Sequence, residues 1–340
     1  MDTKSKGIVS GAICFLGLMA GACSMGKTAT ESNETDSTEI LYADPTIFVE
    51  NGKYYLSGTR GENPRGFALL ESENLTDWQA MPDSMILTAS DATFGTKGFW
   101  APQILKTDEG YALAYTANTY LAYAKCDSLK GPYTQEKPEA IDTTNNNIDP
   151  FIFTDSDGKS YLYHVRFNNG NYLWVAEFDT KSGKINYETL TKCFDNDQPW
   201  EATDAFESVP IMEGPTVIRL GDTYYLFYSA NDYRSIDYSV GYATATSPLG
   251  PWTKNPNNPI IHRSIVGENG SGHGDIFTDL NGNMRYVYHV HNSDSVVHPR
   301  RTRIITLQKQ LNDNGSYDIT ADSTSIIKPK QIITNDIATK

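Results

Sequence analysis

The sequence predicts an all-β fold, a five-bladed β-propeller. Three observations carry that expectation. A hairpin pattern returns five times, most copies are followed by a second alternating strand element, and no sustained 3.6-residue apolar period interrupts the series. The hairpins are DPTIFVENGKYYLSGT (44–59), APQILKTDEGYALAYTAN (101–118), DPFIFTDSDGKSYLYHV (149–165), GPTVIRLGDTYYLFYSAN (214–231) and, more loosely, HGDIFTDLNGNMRYVYHVH (273–291). Each joins a short apolar strand to a second strand, usually rich in Tyr, through a polar turn. Glu50-Asn51-Gly52, Ser156-Asp157-Gly158 and Asn281-Gly282 supply residues that tolerate positive φ there. Pro45, Pro102, Pro150 and Pro215 stand at strand entrances, where a missing backbone donor costs least.

The elements that follow are LLESENLTDWQ (69–79), LAYAKCDSLKGPYTQ (121–135) and VGYATATSPLGPWTK (240–254), with divergent versions at 174–185 and 303–315. Each unit then holds about four strands in roughly 50–60 residues, the size of one propeller blade. Blades arranged radially bring their inner-strand entrances to a common axis. Asp44, Trp100, Asp149, Glu213 and His273 occupy those entrances. One Asp-Pro alone reads as a solvated loop; acids recurring in register read as a site.

Residues 1–22 are set apart from the fold. Lys4 and Lys6 precede an apolar run, 8–19, too short to span a bilayer, and Ala20-Gly21-Ala22 leads into Cys23. This resembles a bacterial lipoprotein signal, which would make Cys23 the lipidated first residue and hold the protein in the cell envelope, on the periplasmic face or the surface of the outer membrane. Residues 23–38 are small and polar and read as a tether, leaving 39–340 as the propeller domain. The net charge of −14, with no basic stripe, argues against nucleic acid as a partner. Cys126 and Cys193 remain after processing, and no spacing requires them to pair. Tyrosine is abundant, 21 of 340 residues, which suits strands and also suits stacking on sugar rings.

Ala43-Asp44-Pro45, Phe99-Trp100-Ala101-Pro102, Ile148-Asp149-Pro150, Glu213-Gly214-Pro215 and Gly272-His273-Gly274, in that order, resemble glycoside hydrolase family 43, a group of arabinofuranosidases, arabinanases, xylosidases and some galactanases. The resemblance covers about 40–330. It implies Asp44 as general base, Asp149 as the residue that tunes and orients the acid, and Glu213 as general acid. It places His273 in the channel, where some relatives hold a hydrated calcium ion, and directs an arginine near the last outer strand, taken as Arg301, toward the sugar. No cofactor is otherwise required.

Chemistry agrees with those roles. Inverting hydrolysis needs a protonated carboxyl at the leaving oxygen and an ionised one, about 6.5–9.5 Å away, to activate water. Facing blades can supply that gap. A charged Asp149, with water excluded by Phe99 and Trp100, would keep Glu213 protonated. Trp200 is expected as an aromatic platform among the mouth loops 60–66, 88–98 and 194–209. His273 reads either as a hydrogen-bonded channel histidine or as a neighbour of a metal's water shell, with Asp275 able to support both. His289 and His291 share a strand face and read as structural, a two-histidine metal site being the alternative. The expected activity is release of α-L-arabinofuranose from plant cell-wall polysaccharide or its oligosaccharides, with β-xylosidase, endo-arabinanase or galactanase action as alternatives. An invertase-like enzyme fits less well, since its Asn-Asp-Pro and Glu-Cys contexts are Ala43-Asp44-Pro45 and Glu213-Gly214 here. A non-catalytic sugar-binding propeller is the reading from a different class.

Overall fold

A computed structural model describes residues 36–61 and 63–333. The signal, Cys23 and most of the expected tether lie outside the described residues. The first strand, Ser37–Glu39, begins inside the segment expected to be tether.

Among the described residues the fold is all-β with a propeller arrangement of five sheets. Helix is confined to Arg263–Val266 and two 3-10 turns, Tyr187–Thr189 and Pro199–Glu201. The first sheet runs outward from Tyr42–Glu50 through Lys53–Arg60 and Gly66–Ser72 to Asp77–Thr88. The second holds Trp100–Thr107, Gly110–Ala117 and Tyr120–Cys126. The third starts with Asn147–Thr154, Ser160–Phe167 and Asn171–Asp179, edged by Lys184–Ile185 and Thr191–Lys192. The fourth is Met212–Leu220, Thr223–Ala230, Ser239–Ala245 and Thr253–Lys254. The fifth is Gly272–Thr278, Met284–Val290, Arg301–Leu311 and Tyr317–Ile327. Four sheets thus have the expected four or more strands, and the second has three. Its missing strand falls in 127–146, a polar stretch broken by Pro132 and Pro138, which reaches the sheet through the bridge Lys125↔Thr134 and the bond from Ile141 N to the Leu121 carbonyl.

The inner strands neighbour one another in a closed cycle, first to second, onward to fifth, and fifth back to first. The ring is clasped at the outer edge of the first sheet, where Lys330–Ile332 runs parallel to Asp77–Thr88 and antiparallel to Ser37–Glu39. Between the sheets lies a core rich in tyrosine. Tyr115, Tyr163, Tyr225, Tyr228, Tyr242 and Tyr286 are fully buried, so much of the tyrosine content serves strand packing.

One irregularity recurs at the head of every inner strand. Residues 44–45, 101–102, 149–150 and 214–215 each oppose a single residue of the partner strand, and in the fifth sheet His273 is the extra residue. These are β-bulges. Their first residues, Asp44, Ala101, Asp149, Gly214 and His273, all have positive φ, between 39° and 59°. The four prolines are the second bulge residues, where a missing N–H disturbs no ladder. At Gly214 the glycine is required twice over, because a Cβ would also lie 2.8 Å from the His273 ring. The bulges correct the predicted register. Ala101 and Gly214, and not Trp100 and Glu213, are the equivalents of Asp44, Asp149 and His273. Trp100 and Glu213 stand one residue earlier, paired with Thr116 and Ser229.

Candidate active site

The amides turned out by the bulges are held from the neighbouring sheet. Thr59 Oγ1 accepts from Ala101 N at 3.0 Å, Thr116 Oγ1 from Asp149 N at 2.9 Å, and Ser229 Oγ from His273 N at 2.7 Å. His289 Nδ1 accepts from Asp44 N at 3.2 Å. Each acceptor sits at the same register position of its second strand and reaches the next sheet in the cycle. The Gly214 amide instead donates to Asp149 Oδ2 at 3.2 Å.

This frame brings Asp44, Asp149, Glu213 and His273 together around the axis, each buried to 8% exposure or less. Asp44 receives Thr59 Oγ1 on Oδ2 at 2.6 Å and Arg300 Nη1 on Oδ1 at 3.1 Å. Glu213 Oε1 receives the Tyr238 hydroxyl at 2.8 Å, and the Tyr238 ring stacks on His289 with centroids 5.6 Å apart. His273 Nδ1 lies 3.4 Å from Asp44 and 3.7 Å from Asp149. Burial holds His273 and His289 below the ordinary imidazole range, so both are neutral at pH 7 and the contacts are polar, not ion pairs.

The carboxyls are pushed in opposite directions. Burial alone would raise Asp44, but the Arg300 guanidinium, helped by the Thr59 hydroxyl, outweighs it and holds the group below the usual carboxylate range. Burial raises Glu213 to about 7, with the charges of Asp44 and Asp232 adding to it and Tyr238 opposing. Asp149 is also raised, first by burial and then by Glu213 and Asp44. Glu213 and Asp149 therefore titrate as a pair that retains a proton near neutrality. The predicted cause of Glu213's protonation needs correction, since burial leads and Asp149 shares the proton with it.

Other expected residues are placed differently. Phe99 is fully buried in the core, stacked on Tyr115 at 5.7 Å. Trp100 is half-buried at the strand entrance, its ring against Gly98. Trp200 gives its indole N–H to Gln198 Oε1 at 2.6 Å and packs on Tyr228, so it props a loop and offers no free platform. Arg301 bonds Glu268 Oε1 at 3.0 Å and the His291 carbonyl; it is Arg300 that reaches Asp44. Arg300 also lies 4.6 Å above the Tyr233 ring, and Arg234 sits over Phe206 at 4.7 Å. His291 Nε2 donates to the Tyr233 carbonyl, 2.9 Å away, and His289 Nδ1 accepts from Asp44 N, so both rings are engaged within the fold. Cys126 and Cys193 are both free thiols.

The residues missed in the sequence are Arg300, Tyr238, Thr59 and the acceptor role of His289. Aligning the second strands of the repeat would have set Thr59, Thr116, Ser229 and His289 in one column; nothing local marks Tyr238.

A calcium ion is what the family resemblance suggests for this channel. Among the described residues no three His, Cys, Asp or Glu side chains are grouped to hold an ion. Calcium asks for six to eight oxygens, and Asp275, deeper on the axis, is already engaged by Thr46 Oγ1 at 2.6 Å and Thr216 Oγ1 at 2.7 Å. The donor set does not make a protein cage, and no chemical step is routed through a metal.

Comparison with known proteins agrees with this geometry. The chain is similar to a solved structure described as an endo-1,4-beta-xylanase from Bacteroides thetaiotaomicron, with 34% identity and a TM-score of 0.80, covering 88% of this chain and 100% of that one. It is 26% identical to a beta-D-galactofuranosidase from Aspergillus niger, covering 73% of each chain. It is 24% identical over 64% of its length to a xylan 1,3-beta-xylosidase from Vibrio sp., of which it spans only 41%. The model of glycosyl hydrolases family 43 matches residues 38–314, which takes in all five bulge motifs and every strand that bears a site residue, and the chain belongs to that family.

Proposed function

We propose that this protein is an inverting glycoside hydrolase that releases a pentose, α-L-arabinofuranose first, from plant cell-wall polysaccharide or its oligosaccharides. One observation carries the reading: a single buried cluster holds Asp44 ionised while Glu213 keeps its proton to about pH 7. Asp44 would take a proton from the attacking water as the glycosidic carbon is struck from that side. Glu213 would give its proton to the departing oxygen, and Asp149, sharing the proton of the pair, would orient it. The pair is then restored by bulk water. The closed cycle of inner strands supports counting the three-stranded sheet as a fifth blade. The similar proteins include a xylan 1,3-beta-xylosidase and a galactofuranosidase, so β-xylosidase action is the second reading. We further propose that Cys23 carries a lipid anchor to the cell envelope.

The test is release of monosaccharide from p-nitrophenyl α-L-arabinofuranoside and p-nitrophenyl β-D-xyloside. A faster arabinoside supports the first reading, and a faster xyloside replaces it with the second. Inactivity on both and on arabinan and xylan would leave a sugar-binding propeller. Tyr238→Phe gives a finer check. The Tyr238 hydroxyl stabilises the Glu213 carboxylate, so its removal raises the acid further. The alkaline limb of kcat/KM should move to higher pH, by roughly one unit for a hydrogen bond to a charged group. A limb that stays in place or moves down would show that Glu213 does not set it.

A further inference from the structure

Four of the five sheets place a side-chain acceptor, Thr59, Thr116, Ser229 or His289, opposite the residue that precedes the bulge, and each accepts the bulge amide of the next sheet. In the third sheet that position, opposite Ile148, is Val165. It is fully buried and packs in the core with Met212 and Val217. By the rule of the other four, the amide it faces is that of Gly214, and a valine has no atom to accept it. That amide donates to Asp149 Oδ2 instead.

We infer that Val165 is a positioning residue, which by withholding an acceptor commits the Gly214 amide to the Asp149 carboxylate and so fixes that carboxylate beside Glu213. A buried amide must find a partner, and with the sheet-to-sheet acceptor missing Asp149 supplies it. The bond favours the charged form of Asp149. In a pair holding one proton, that favours the arrangement with the proton on Glu213, where a general acid needs it. The functional part of this inference rests on the hydrolase reading above; the structural part does not.

Val165→Thr tests it, because threonine matches valine in shape and restores the acceptor seen at Thr59 and Thr116. The expected crystal structure has Gly214 N bonded to the new hydroxyl and Asp149 Oδ2 released. Losing a hydrogen bond to a charged group should lower kcat about 10- to 100-fold. The acid limb of the profile should move to higher pH, since Asp149 then ionises less readily. Val165→Ala is the control: it loosens the core and lowers Tm but offers no acceptor, so its pH profile should remain that of the wild type. An amide still on Asp149 in the threonine variant would overturn the inference, as would identical pH profiles for the two variants. A wild type inactive on every glycoside, with the amide switched in Val165→Thr, would sink the hydrolase reading and leave the switch standing.

Discussion

Glu213→Gln should retain the fold and lose about 10²–10⁴-fold of the rate on glycosides with poor leaving groups, while activated aryl glycosides lose far less. The amide keeps the carboxyl's shape and can still accept from Tyr238, so the difference isolates the proton. A nitrophenolate leaves without one, whereas a sugar hydroxyl does not. The pH profile should change in the same variant. The Glu213 carboxyl holds its proton to about 7, so wild-type activity should fall as pH rises through that value. Without the carboxyl that limb should disappear. Steady-state kinetics on one aryl glycoside and one oligosaccharide would decide the matter. Equal losses on both would remove Glu213 from the acid's role.

Asp44→Asn should be at least as damaging, about 10³–10⁴-fold, and indifferent to the leaving group, because water must be activated whatever departs. The change also leaves the Arg300 guanidinium beside a neutral amide in a mostly buried setting. Thermal stability should fall with it, by about 1–3 kcal/mol for a lost charged hydrogen bond. The pH dependence of that loss has a definite sign. Asp44 is depressed in the folded state, so it stabilises the fold above the ordinary carboxyl range, and the contribution fades as pH falls through the folded value. The gap in Tm between wild type and variant should therefore narrow in acid. A variant that kept its activity on aryl glycosides would assign the base elsewhere.

Much of this was legible in the sequence because the repeat carries its own register. Five motifs heading five hairpins were enough to place Asp44, Asp149, Glu213 and His273 around one axis. Three of the misplacements, at Trp100, Glu213 and Arg301, were by a single residue. A β-bulge inserts one position into a period-2 pattern, and a one-residue slip exchanges the two faces of a strand. Trp100 and Glu213 were therefore taken as equivalents of Asp149 when Ala101 and Gly214 are. Arg300 and Arg301 are neighbours of the same kind: Arg301 opens a strand, paired with Val290, and turns to Glu268, so its predecessor faces the axis. Phe99 was chosen from its motif and Trp200 from a mouth loop, yet a ring of sheets also needs aromatic pillars, and both rings are spent that way. Tyr238 lies outside the repeat's strands, one residue before Ser239–Ala245, and only the folded chain brings it to Glu213.

The clasp on the first sheet has a kinetic consequence. Its two closing strands come from opposite ends of the described chain, so this contact is about as non-local as the topology allows, and loop-closure entropy makes such contacts slow to form. The seam is thus expected to be among the slower contacts of the ring to form, which a stopped-flow comparison of the full chain with a variant broken at Lys330–Ile332 would check. The seam ties the two chain ends of the ring together at a place far along the sheet from the carboxylates it encloses.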